Sequence, residues 1–352
     1  MKTKILRIVG CLILGMLPVL ILNLIPHTNH KNESAFIRRF PPHFLANKNT
    51  INIKTNRGYI TGMDSSKLYI GYATTPLKLS SFQWDYNEFL TSSFSIKDSF
   101  PIAWKVLKNS VFENHIYLME GLTPNIFESS LEKNVLFRKK IDSVTFTDCL
   151  PLSTSLFIVK TFNTQRTQQV LALLREGSNN LHIPNMNLKK QVDGFFCVDG
   201  DLIYNKEAER IIYTYRYRNE FLIFDSNLKF LYAENTIDPN FQAQIKVSSI
   251  KEHGMEKIIL TAPPHVVNKK SFSQGQWLFI NSNIISKNED QLRFHSKSVI
   301  DIYELESGDY KYSFYIPSYE GLVMKDFAFY NNTLAVLYDQ GIIVFNMGIT
   351  KN

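Results

Sequence analysis

Cysteine is scarce in this 352-residue chain, which has only Cys11, Cys149 and Cys197. Thiols so few and so far apart make neither a disulfide framework nor a zinc-site spacing. Cys149 and Cys197 could pair in an oxidising compartment or stay as buried thiols, and spacing leaves both open. Phosphate-binding loops of the G-x-G-x-x-G or G-K-[ST] kind are absent, as are G-x-S-x-G, H-E-x-x-H and C-x-x-C. The eight histidines are scattered, and only His27 and His30 lie close together. These absences exclude the enzyme classes recognised by a local signature. They do not exclude an enzyme that gathers single residues from separate strands. Helical periodicity is also wanting beyond residue 50. The nearest run, "RTQQVLALLRE" (166–176), suits strands as well as a helix.

What is present favours strands. Apolar residues make up 44% of the chain and aromatics 13%, so short Ile, Val, Thr and aromatic runs recur between Asn, Asp, Gly, Pro and Ser clusters. The net charge of +7 is unevenly placed. Residues 1–70 carry ten Lys and Arg against two acids, a balance of +8, and the remainder carries 29 against 30, a balance of −1. A surface that neutralises many phosphates needs a basic excess of its own, so no nucleic-acid partner is expected.

Ile8 to Ile25 is an uncharged stretch of 18 residues preceded by Lys2, Lys4 and Arg7. Its length is about the minimum for a membrane span, and the flanking charge places residues 1–7 in the cytoplasm. No small-residue cleavage site follows, so an uncleaved signal anchor over 8–25 is expected. "IVGC" (8–11) imitates a lipoprotein site, but the apolar run follows the cysteine instead of preceding it. Residues 26–49, with Pro41-Pro42, read as a polar linker, and residues 50–352 as the folded domain. That arrangement predicts a single-pass inner-membrane protein with its domain in the periplasm.

A repeating unit begins at Lys67, His115, Leu156, Arg210, Trp277 and Thr333: a strand of "LYI" type, a turn, then further strands. Gaps of mostly about 40 to 60 residues, wider before the fifth unit, are the spacing of propeller blades. The expected fold is therefore all-β, a six-bladed β-propeller behind an N-terminal transmembrane helix. A seventh blade would require residues 240–275 to hold one of their own. The last unit stops short of a fourth strand, and "TINIKT" (50–55) is a lone strand able to close the ring.

"RIIYTYRYRNEF" (210–221) places Ile211, Tyr213, Tyr215 and Tyr217 on one strand face and Thr214, Arg216 and Arg218 on the other. Tyrosines suit an interface between blades. The arginines should pair with carboxylates or point into the central channel, where they would be ligand-binding residues. His265, after the rigid pair in "TAPPHVV", is a further ligand-binding candidate. Asp193, Asp199 and Asp201 in "VDGFFCVDGD" form the best carboxylate group, and Ca²⁺ is the one ion such oxygens would suit. The same Asp-Gly pairs also make plain hairpin turns, and no cofactor is expected otherwise.

The tract "KQVDGFFCVDGDLIYNKEAERIIYTYRYRNEFLIFDSNLK" with its continuation to residue 247 resembles an uncharacterised family of membrane-anchored bacterial proteins. So does "VIDIYELESGDYKYSFYIP" with "MKDFAFYNNTLAVL" (299–337). These resemble six-bladed propellers of the TolB-like type. The likeness covers the second half well and the first half in pattern only. It implies fold and export and brings no known activity. The function expected is a tethered module or scaffold that binds a protein, peptide or glycan. The alternative is a metal-dependent hydrolase or lyase working at the channel mouth.

Overall fold

The computed structural model describes Gly15 and residues 36–348, apart from 43, 54–56, 85–87, 142–143, 179–180 and 253–254. The chain divides into Met1–Ser34 and Ala35–Asn352, and all that follows concerns the second unit. The expected anchor at 8–25 lies outside the described residues except for Gly15. Among the described residues no helix is long and apolar enough to cross a membrane.

The first strand, β1 (Leu45–Asn52), does not pair with its sequence neighbour. Blade 1 follows as β2 (Gly58–Met63), β3 (Lys67–Tyr72), β4 (Lys78–Gln83) and β5 (Glu88–Ser93). Blade 2 is β6 (Ser95–Ile96), β7 (Lys108–Phe112), β8 (His115–Glu120), β9 (Asn125–Ser130) and β10 (Val135–Arg138), with β6 running parallel to β10. Blade 3 has three strands, β11 (Phe146–Pro151), β12 (Leu156–Phe162) and β13 (Gln169–Arg175), and a single bridge from Leu173 to His182 stands where a fourth would be. Blade 4 is β14 (Gly200–Asn205), β15 (Arg210–Tyr215), β16 (Glu220–Asp225) and β17 (Phe230–Asn235). A hairpin, β18 (Val247–Glu252) with β19 (Met255–Leu260), is inserted next. Blade 5 is β20 (Asn268–Gln274), β21 (Trp277–Ser282), β22 (Ser298–Glu304) and β23 (Tyr310–Ile316), with a short helix α1 (Gln291–Ser296) between β21 and β22. Blade 6 is β24 (Asp326–Tyr330), β25 (Thr333–Tyr338) and β26 (Gly341–Met347), and β1 completes it by pairing antiparallel with β26.

The ring is thus six-bladed and closed by the N-terminal strand, as the sequence led us to expect. Residues 240–275 hold a two-stranded hairpin and the start of blade 5, so there is no seventh blade. "RTQQVLALLRE" supplies β13, a strand.

Six buried apolar clusters occupy the six gaps between successive blades, one per gap. The two middle strands of a blade are therefore covered on both faces. On β15, Ile211, Tyr213 and Tyr215 pack with Ile158 and Leu171 of blade 3, while Ile212 packs with Leu278 and Ile280 of blade 5. Burying such side chains contributes roughly 1.5–3 kcal/mol each before entropy is counted. The turns from each first strand to its second are tight. Glu113, Glu209, Gly275 and Asn331 take left-handed backbone in four of them, a conformation that costs only glycine nothing.

The expected polar linker needs correction over residues 36–49. Residues 45–49 are already β1, and 36–42 lie along blade 5. The Lys287 N–H donates to the Phe36 carbonyl, and the Ser313 N–H donates to that of Arg39. Phe40 stacks on Tyr315 with ring centroids 4.8 Å apart. Arg38 is buried: Nε and Nη2 donate to the two carboxylate oxygens of Asp301 at 2.7 and 2.9 Å, and Nη1 reaches Glu289 and the Ile284 carbonyl. The extended shape that Pro41-Pro42 imposes serves docking on the propeller.

Cys149 and Cys197 are both buried and unpaired. Burial, helped by the Asp148 charge, pushes the Cys149 thiol well above its usual range. The Cys197 thiol donates to the Asp193 carbonyl.

Candidate functional site at the channel mouth

β2, β7, β11, β14, β20 and β24 are the innermost strands of their blades, and each is the first of its blade apart from the short β6. Their first residues, with the last residues of the second strands, stand at one end of the central channel. Register identifies the equivalent positions. Opposite the fifth residue of each second strand lie Tyr59, Lys108, Asp148, Asp201, Lys270 and Asp326. Bulges at Phe146/Asp148 and Asn268/Lys270 adjoin two of them, and a bulge re-aims the side chain beside it.

Polar bonds run around this mouth from blade to blade. Lys160 Nζ at the end of β12 meets Asp199 Oδ1 at 2.9 Å, and Arg216 Nε meets Asp199 Oδ2 at 3.0 Å. Asp201 lies 3.9 Å from Arg216 Nη2 and accepts from the Ser271 N–H at 2.7 Å. Lys270 Nζ stands 3.6 Å from Asp326 Oδ1, while Asp326 Oδ2 accepts from the Ile60 N–H at 2.9 Å. Thr61 donates to the Asn109 carbonyl at 2.9 Å, and the Phe146 N–H donates to the Gly121 carbonyl at 3.2 Å. Every blade is thereby tied to the next. Gly200 is needed at this seam, because a Cβ there would sit 2.3 Å from the Thr214 carbonyl oxygen.

The electrostatics are mixed. Lys160, Arg216 and Lys270, with Lys108 exposed at its own ring position, stand with four carboxylates, Asp148, Asp199, Asp201 and Asp326. Burial opposes charge on Asp199, but Lys160, Arg216 and the Gly200 N–H outweigh it and hold this carboxyl below its usual range. Asp326 behaves oppositely, because burial and the nearby Asp201 outweigh Lys270 and two backbone donors, so its carboxyl is raised. The Lys270 ammonium is made more basic, first by Asp326, against burial, with help from Asp201 and Asp148. Burial costs the Asp326 charge more than Lys270 returns to it, whereas the Lys270 ammonium is favoured by three carboxylates at once. Lys270 and Arg216 nevertheless keep 42% and 32% of their side-chain surface open to solvent.

Of the residues expected from sequence, Asp199, Asp201 and Arg216 meet at this mouth. Arg218 does not line it. Its buried guanidinium lies 3.3 Å from the Tyr215 ring centre, bonds Glu220, and donates to the Cys197 and Lys189 carbonyls. Asp193 is also removed from it, accepting from the N–H groups of Phe195, Phe196 and Cys197. The three aspartates are not grouped around one point, and among the described residues no set of three His, Cys, Asp or Glu side chains could hold a metal ion. His265 lies exposed on the loop before β20, its N–H donating to the Gln244 carbonyl. Sequence reading missed Lys160, Lys270, Asp148 and Asp326. Counting back through each first hairpin from the fifth residue of a second strand would have found all but Lys160, which is itself such a fifth residue.

A cavity of about 600 Å³ lies away from the mouth, at the opposite end between blades 4 and 5. Glu207, Arg210, Leu231, Tyr232, Leu305 and Glu306 are among its lining residues. It does not share the convergent charges of the channel, so the mouth is the stronger candidate.

No protein family matches the chain, and no curated protein does. Several solved structures are similar to the chain at low identity. A streptogramin B lyase is 10% identical, with a TM-score of 0.48, over 85% of this chain and 97% of its own. A DUF4221 family member from Bacteroides vulgatus is 10% identical, with a TM-score of 0.47, over 86% and 97%. The β-propeller domain of Cps50 (Swd1) is 11% identical, with a TM-score of 0.45, over 87% and 100%.

Proposed function

We propose that the chain is a TolB-like propeller tethered to the inner membrane by residues 8–25, facing the periplasm, and that it binds a protein, peptide or glycan at its channel mouth without transforming it. The observation that carries this reading is the mixed ring of Lys160, Arg216 and Lys270 with four aspartates, two of whose cations stay open to solvent. Cations that are already paired make a poor trap for a simple anion. Alternating donors and acceptors instead suit the amides and charged ends of a peptide or the hydroxyls of a sugar. A hydrolase or lyase at the same mouth has no specific observation in its favour.

The test is a thermal-shift screen of the full chain against peptides and oligosaccharides, repeated with Arg216→Ala, Lys270→Ala and His265→Ala. A ligand at 100 times its Kd stabilises by about 2.7 kcal/mol. The expected result is a binder whose shift is lost in the first two variants. A binder that shifts both of them like the parent, or that is turned over, would overturn the reading.

A further inference from the structure

The two ends of the propeller differ in kind. Loops from second to third strands and from blade to blade lie at the mouth end, and the remaining turns lie at the other. Trp104, Val106, Leu122, Phe241, Leu292 and Val323 all sit on mouth-end loops as exposed large apolar side chains, with Trp104 at 49%, Leu122 at 66% and Leu292 at 82%. Among the described residues, the opposite end has exposed Val135 and Leu231 at the starts of β10 and β17, and none on its turns. Charge divides the same way. Exposed Lys97, Lys105, Arg166, Lys189, Lys190, Lys246, Lys287, Arg293 and Lys325 stand on mouth-end loops against exposed Asp98, Asp290, Glu320 and Asp339. Among the described residues the opposite turns expose Glu113, Glu132, Glu207, Glu209, Glu306 and Asp309 against Lys133, Lys206 and Lys229.

The described domain also starts at the mouth end. Phe36 bonds Lys287 on the loop between β21 and β22, and the chain then runs along β23 toward the far end. Ten residues separate Ile25 from Phe36. Such a length reaches at most roughly 35 Å, which keeps the mouth end within that distance of any surface to which Ile25 is fixed.

We propose that the mouth-end loops dock on an anionic lipid surface, with Trp104, Leu122 and Leu292 entering the headgroup layer and the lysines answering lipid phosphates. Apolar tips interleaved with lysines are what such a surface selects, since indole prefers the interface and each lysine gains from the surface potential. The carboxylate-rich end faces away, where like-charge repulsion keeps it. The proposal rests on the tether in the reading above and narrows its ligand to a peptide or glycan presented at the membrane surface, because docking turns the mouth toward the lipid. The experiment separates tether from docking.

The three tryptophans divide between the ends. Trp104 is at the mouth, while Trp84 donates to the Ser65 carbonyl and Trp277 follows the turn at Gly275, both at the opposite end. The full chain is placed in nanodiscs of phosphatidylcholine and phosphatidylglycerol with brominated acyl chains. Trp84→Phe/Trp277→Phe leaves Trp104 as reporter, and Trp104→Phe leaves the other two. Against unbrominated discs, Trp104 emission should fall about twofold while Trp84 and Trp277 stay unchanged. Removing phosphatidylglycerol should restore most of the Trp104 emission. If the double variant misfolds, subtracting Trp104→Phe from the parent gives the same quantity. Disc-bound protein with Trp104 unquenched, or with the other pair quenched as much, overturns the orientation and leaves the tether. Quenching that persists without phosphatidylglycerol overturns the anionic assignment. A chain that never enters the discs overturns tether and docking together.

Discussion

A guanidinium stripped of water must recover its hydrogen bonds inside the protein, and Arg38 recovers them from Asp301, Glu289 and the Ile284 carbonyl. Burial works against its charge, but the two carboxylates outweigh that and make the group more basic than usual. Removing one side of such a cluster strands the other. Arg38→Ala should cost about 3–5 kcal/mol in urea unfolding, whereas Arg39→Ala, exposed at its side chain, should cost little. Asp199 contributes to acid behaviour. Its folded pKa lies below the unfolded value of about 4, so its contribution is complete above that value and is lost as pH falls through the folded one. In Asp199→Asn this contribution is missing throughout. The stability gap between parent and variant should therefore be widest near neutrality and should close below about pH 4, as acid titrations followed by fluorescence would show. The Arg38 partnership was not legible in sequence, because Arg38 lies in a stretch whose Pro-Pro pair and polar neighbours read as linker.

At the scale of elements, the second strand of every blade was legible to the residue. The repeats starting at Lys67, His115, Leu156, Arg210, Trp277 and Thr333 are β3, β8, β12, β15, β21 and β25. Strands covered on both faces become nearly continuous apolar runs, and those carry the strongest signal. First strands escaped because channel-facing Asp and Lys interrupt them, and outer strands such as β5 and β10 because half their residues meet water. β1 was half legible: "TINIKT" marked its end, but the start at Leu45 carries "ANKN", polar because this edge strand is largely exposed. Closure by β1 can be tested by truncation. A chain beginning at residue 36 should run as a monodisperse species on size exclusion, and one beginning at residue 54 should aggregate, because β26 becomes an open apolar edge.

At the scale of the whole molecule, the blade count followed from the spacing of the repeats, and the exception near residues 240–275 proved to be an inserted hairpin. The channel mouth was legible only in part. Asp199, Asp201 and Arg216 fall within one blade and within 18 residues of sequence, so a local cluster betrayed them. Lys160, Lys270, Asp148 and Asp326 come from three other blades and meet only because the ring closes. Their juxtaposition depends on register and bulges, which no local window contains.

The segment that enters the domain at Phe36 is also the one that seals it, so tension and closure share a path. A tug on the start of the domain meets the two-pronged Arg38–Asp301 contact several residues before it meets β1. The strain is absorbed on blade 5, and the strand that zips the ring is shielded from peeling while the molecule is pulled.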